Sequence, residues 1–196
     1  MSSTLRAEPA RFAEGLSRQT LQFFLIAGLA VLGASGIAKL LMTIFPRAEY
    51  GSTLRFPSAF ICSSLLLLQG SIALEKALGF LKLEKQAACR RWLLLSLLFG
   101  TLFMGVQTFA LWQMFPKYRN PEDASLESTA FAMALAALHS LHFLVAVLFV
   151  SWVTVRTWAN RYDHEYFWGM RFCAMFWHAL GVVWVAILFV FLVASR

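Results

Sequence analysis

The chain has 196 residues, 60% of them hydrophobic and only 14% charged, with a formal net charge of +7 and a mean hydropathy of +0.67. That composition lies outside the range of soluble globular domains. Its grouping into long apolar blocks excludes a soluble enzyme and a basic nucleic-acid-binding domain, and the protein reads as all-α, an integral membrane bundle.

A bilayer core about 30 Å thick needs roughly 20 apolar helical residues to cross it. Five blocks meet that length and predict transmembrane helices over residues 21–45, 57–80, 92–115, 128–155 and 172–194, within a single membrane domain covering 1–196. Residues 1–20 form a polar N-terminal segment with Arg6, Glu8, Arg11, Glu14 and Arg18. It lacks the apolar core and cleavage site of a secretory signal, and its glutamates argue against a transit peptide. The first helix carries one charge, Lys39, near an end where it can snorkel. Its small residues Ala30, Ala34 and Ala38 allow close helix contact. The second opens on Pro57, tolerated in a first turn, and closes on Glu75 and Lys76, read as a solvated interfacial pair. Gln69 and Gln107, in the second and third helices, are each expected to find a partner inside the bundle.

The fourth helix opens on Ala130, Ala132, Ala134, Ala136 and Ala137, then carries His139 and His142. The fifth places Trp177, Gly181 and Trp184 along one face with His178 beside them. Trp92, Trp112, Trp158 and Trp168 fall at helix ends, as an aromatic belt does. Cys62, Cys89 and Cys173 have no metal or disulfide spacing and read as packing residues. No Gly-rich phosphate loop, nucleophile elbow or internal repeat is present.

The positive charge is a topology signal. Arg6, Arg11, Arg18, Lys82, Lys85, Arg90, Arg91, Arg156, Arg161 and Arg171 fall on one side of the predicted helices. Arg47, Arg55, Lys117, Arg119 and Arg196 fall on the other. Ten against five places the N-terminus in the cytoplasm and the C-terminus outside.

The intramembrane histidines are the only candidates for chemistry. Imidazole ligates haem iron, copper or zinc well. From the predicted helix ends, however, His142 lies about 13 residues, roughly 20 Å, and His178 about 6 residues, roughly 9 Å, from the same membrane face. That offset is too large for ligands about 2 Å from one metal. Neutral imidazoles bonded to backbone or to Gln, Ser and Thr on neighbouring helices fit better, with ligation by His139 or His142 with His178, as in a membrane haem carrier, as the alternative. A transporter has less support, because no discontinuous helix pair or inverted repeat appears.

The same residues carry a resemblance. Ala137-Leu138-His139-Ser140-Leu141-His142-Phe143 resembles the His-Gly-Leu-His stretch of haem–copper oxidase subunit III. Phe176-Trp177-His178-Ala179-Leu180-Gly181-Val182-Val183-Trp184 is similar to that family's Trp-His…Val-Val-Trp stretch in its last helix. Leu98–Gln107 is similar to its Leu-Gly…Gln segment, and order and spacing agree from Phe56 to the C-terminus. The resemblance implies a multi-pass subunit of the bacterial inner membrane in the five-helix form. It also implies no haem or copper in this chain, those cofactors residing in partner subunits. Subunit I and subunit II of a cytochrome c oxidase are the implied partners, together with bound phospholipid and no nucleic acid. A quinol-oxidase or nitric-oxide-reductase-associated form is the alternative within the family. Gln107, His139, His142, Trp177, His178 and Trp184 are the implied structural and lipid-cleft residues, with no catalytic or metal-ligating residue. Leu29, Ala110 and Gly181 stand where the family has carboxylates, which weakens a role in proton supply.

Overall fold

The computed structural model describes residues 7–45, 59–114, 126–162 and 167–194. These form five helices, α1 (Ala7–Ile44), α2 (Ala59–Lys82), α3 (Gln86–Met114), α4 (Leu126–Trp158) and α5 (Trp168–Ala194), with no strand among them. All five are long and apolar enough to cross a membrane. Pro57, Arg47, Arg55, Lys117 and Arg119 lie outside the described residues.

The predicted spans differ from the observed helices mainly at one end of the bundle. There α1 begins at Ala7 rather than 21, α3 at Gln86 rather than 92 and α5 at Trp168 rather than 172, while α2 runs to Lys82 and α4 to Trp158. Hydropathy marks where the bilayer stops. A helix instead continues until its backbone is capped, and polar residues such as Arg90 and Arg156 are good helix formers. Both caps at this end have the same form. The Lys85 and Glu84 N–H groups donate to Phe80 O and Leu81 O, and those of Arg161 and Asn160 to Arg156 O and Thr157 O. With Glu84 at φ 58° and Asn160 at φ 52°, each is a Schellman turn.

Aromatic and small-residue contacts fix the arrangement. Phe103 meets Phe143 and Gly100 faces Val147, while Phe143 meets Trp177 and Phe149 meets Phe172, so α3–α4 and α4–α5 are antiparallel neighbours. With α2 packed on both α3 and α5, helices α2 to α5 close into a four-membered ring. α1 packs on α3 and α4 alone, outside that ring. Its Ala30 and Ala38 are buried, and Gly105 of α3 comes so close to Ala34 and Ile37 that a Cβ there would lie 2.7 Å from the Ile37 Cβ. The small residues of α1 therefore do make a close helix contact.

The basic end is stitched across the ring. Arg90 donates to Asn160 Oδ1 at 2.7 Å, and the Gln86 amide donates to Tyr162 O at 3.1 Å. Lys76, Lys82, Arg156 and Arg171 sit over the rings of Trp92, Phe167, Trp152 and Trp168. Cations over interfacial aromatic faces suit a membrane–water boundary.

Candidate functional site

The ring interior is an aromatic block, and small residues make room for it. Trp177 of α5 is fully buried between Gly70 of α2 and Gly100 of α3, and a Cβ on either would come within 2.6 Å or 2.9 Å of its indole. Two turns further along α5, Trp184 is also fully buried. It meets Phe60 and Phe103 edge-on, at 5.5 Å and 6.2 Å, and stacks on the His139 ring at 5.3 Å and 20°. Its Nε1–H donates to Ser64 Oγ at 3.0 Å, and the Ser64 hydroxyl donates to Phe60 O at 2.7 Å. The Trp184 donor is thus satisfied through a neighbouring helix, whereas the buried Trp177 Nε1 has no partner among the described residues.

The six candidates divide into four inside the ring and two on its outside. Gln107, His139, Trp177 and Trp184 are buried. His142 is exposed, and its Nδ1–H donates to the Leu138 carbonyl of its own helix at 2.8 Å. His178 lies part-exposed on the α5 surface, with Nε2 2.8 Å from Glu75 Oε1 of α2. Glu75 is therefore the partner of His178 and not of Lys76, whose ammonium lies 4.5 Å from the Trp92 ring centre. Residues 75 and 76 project 100° apart on a helix, so each faces a different neighbour. Of the two embedded amides, Gln69 points out of the bundle and Gln107 points in.

The depth offset expected between His142 and His178 is also corrected. The contacts Phe143–Trp177 and Phe149–Phe172 set the α4–α5 register and put the two histidines nearly level, rather than roughly 10 Å apart. The two hydropathy boundaries do not lie at one depth: this register sets Trp168, the first residue of α5, level with Trp152 of α4, so α4 continues about 6 residues, roughly 9 Å, past the start of α5. Direction rather than depth separates the rings. One turns back to its own backbone, one reaches across to a carboxylate, and His139 lies flat on Trp184 inside the ring. Among the described residues, no three His, Cys, Asp or Glu side chains cluster so as to hold a metal ion. Cys89 and Cys173 are buried as packing residues, while Cys62 is exposed.

Of the positions without the family's carboxylates, Leu29 is on the outer surface at 70% exposure and Ala110 is fully buried. A Cβ at Gly181 would meet only Leu67, at 3.9 Å.

Five apolar helices packed by small residues, with an aromatic interior, define a multi-pass α-helical membrane protein. Residues 59–195 match the model of the family described as cytochrome c oxidase subunit III. The chain belongs to this family and is a subunit III of a haem–copper oxidase. It is 23% identical over 192 residues to a probable quinol oxidase subunit 3 of Staphylococcus epidermidis, covering 95% of this chain and 94% of that protein. A probable quinol oxidase subunit 3 of Staphylococcus aureus is 23% identical over 193 residues, with the same coverage.

Proposed function

We propose that this chain is a non-catalytic subunit that supports a proton-translocating terminal oxidase of the bacterial inner membrane. It packs beside subunit I and, in the complex, subunit II, with its N-terminus in the cytoplasm, its C-terminus outside and phospholipid bound along its apolar outer surface. The observation that carries this reading is the separate occupation of the three membrane-depth imidazoles. His139 stacks on Trp184, His142 bonds its own helix and His178 bonds Glu75, so they do not converge on one plane as two ligands of a haem must. In this reading haem and copper reside in partner subunits, and this chain maintains their turnover.

The electron donor is chosen by the partners. Cytochrome c is the donor implied by the sequence resemblance, and the names of the staphylococcal relatives favour quinol as an equally strong second reading. Purification in mild detergent through a tag on this chain, followed by oxygen-consumption assays with reduced cytochrome c and with a quinol, tests both points. A haem-containing partner and activity with one donor are expected. Recovery of the chain without any haem protein would refute the proposal.

A further inference from the structure

The antiparallel register of α3 and α4 forms a ladder inside the ring. Phe103 faces Phe143, with ring centres 4.3 Å apart. One turn along, Gln107 of α3 comes opposite His139 of α4, because four residues forward on one helix match four back on its antiparallel neighbour. The next rung pairs Ala110 with Ala136, both fully buried. Gln107 is 0% and His139 3% exposed, and neither amide atom of the one nor either ring nitrogen of the other has a hydrogen-bond partner among the described residues. Buried polar atoms at membrane depth are costly to leave unpaired.

We propose that one water molecule binds between Gln107 and His139. The chemistry matches. An amide and a neutral imidazole together present donors and acceptors, and water supplies two of each. Gln107 and His139 come opposite each other without a direct hydrogen bond, the arrangement that a bridging water fills, and a buried water needs two or more polar partners. A cation is a poor fit, since an amide and one imidazole are too few ligands and, among the described residues, no cluster of three His, Cys, Asp or Glu forms. The water is also isolated. Phe103, Phe143 and Trp177 close the ring on the side of the basic end, so the site is not part of a continuous hydrated path. It holds α3 and α4 together by hydrogen bonds at a level where His139 also supports Trp184.

A density map of the wild-type complex, sharp enough to place ordered water, tests this directly. One isolated peak is expected about 2.7–3.2 Å from both the Gln107 amide and a His139 ring nitrogen. A direct amide–imidazole hydrogen bond, or a peak with the coordination of a metal, would overturn it. A second measurement is the rate at which the heated complex sheds this chain. Gln107→Met and His139→Leu should each speed the loss by roughly 5- to 150-fold, the effect of stranding one buried polar group. The double variant should be no faster than the worse single, since it strands neither. Independent, multiplying effects would refute the shared water. The map is read on unaltered protein, so a failed donor assay leaves this test standing.

Discussion

At the scale of single residues, the absence of a side chain is as important here as its presence. Gly70 and Gly100 hold no chemistry, yet they decide whether Trp177 can lie inside the ring. A methyl group at Gly70 would sit 2.6 Å from the Trp177 ring, and the ring cannot yield because Gly100 and Phe143 confine its other sides. Gly70→Ala should destabilise the bundle by about 1–3 kcal/mol, and Trp177→Phe in the same chain should recover part of that loss. Thermal dissociation of the single and double variants gives the check, and a Gly70→Ala chain as stable as the parent would refute the cradle. The histidine and tryptophan of the last helix should differ just as clearly. Trp184→Ala removes a fully buried indole held by Phe60, Phe103, His139 and Ser64, at a cost of about 3–5 kcal/mol. His178→Leu breaks a part-exposed pair and should cost about 0–1 kcal/mol. The half-life of the assembled complex should follow that order, and a shorter life for His178→Leu would reverse it.

At the scale of helices, the sequence shows the five spans because about 20 apolar residues in a row have no other stable use. It shows the aromatic face of α5 because Trp177 and Trp184 recur seven residues apart. It does not show which helix receives that face. The Gly70 and Gly100 cradle was visible only as two glycines inside apolar helices, a weak signal until Trp177 is placed between them. The Glu75–His178 pair was hidden for a similar reason. Adjacency in sequence suggested Lys76, whereas the phase of α2 turns Glu75 towards α5. The position of α1 outside the ring follows from its contacts with α3 and α4 alone, and hydropathy carries no trace of it. Its tightest approach to α3 is at Gly105. Gly105→Val would drive a side chain into the Ala34 carbonyl and Ile37, forcing α1 away. Gly33 and Thr101 face each other at this contact, a Cβ on Gly33 lying 3.2 Å from Thr101 Cγ2. Cysteines at 33 and 101 should therefore form a disulfide in the parent chain and much less of one beside Gly105→Val. Equal cross-linking in both would show that α1 is held elsewhere.

At the scale of the whole molecule, the basic end and the helix alternation carry the proposed orientation, and the imidazoles carry the proposed lack of redox chemistry. The connections after α2 and α4 share one end, tied by Arg90 and Asn160. In the proposed orientation, which rests on the ten-to-five excess of basic residues, that end lies in the cytoplasm. Lys85→Cys and Arg161→Cys should accordingly resist an impermeant thiol reagent in intact cells and react once the membrane is opened. Labelling from outside would invert the topology. Redox inertness is the sharper test, because it separates the supporting subunit from a haem carrier built on the same histidines. With His139 against Trp184, His142 on its own backbone and His178 on Glu75, no two imidazoles among the described residues face a common haem plane. The purified chain should therefore show no Soret band and no stoichiometric iron or copper. Removing it from the complex should leave the partner's haem spectrum and initial oxygen reduction nearly unchanged, while activity decays faster over successive turnovers. A Soret band in the isolated chain that His178→Ala abolishes would make it an electron carrier. A colourless chain whose removal stops the first turnover would refute the supporting role and leave the fold and the family in place.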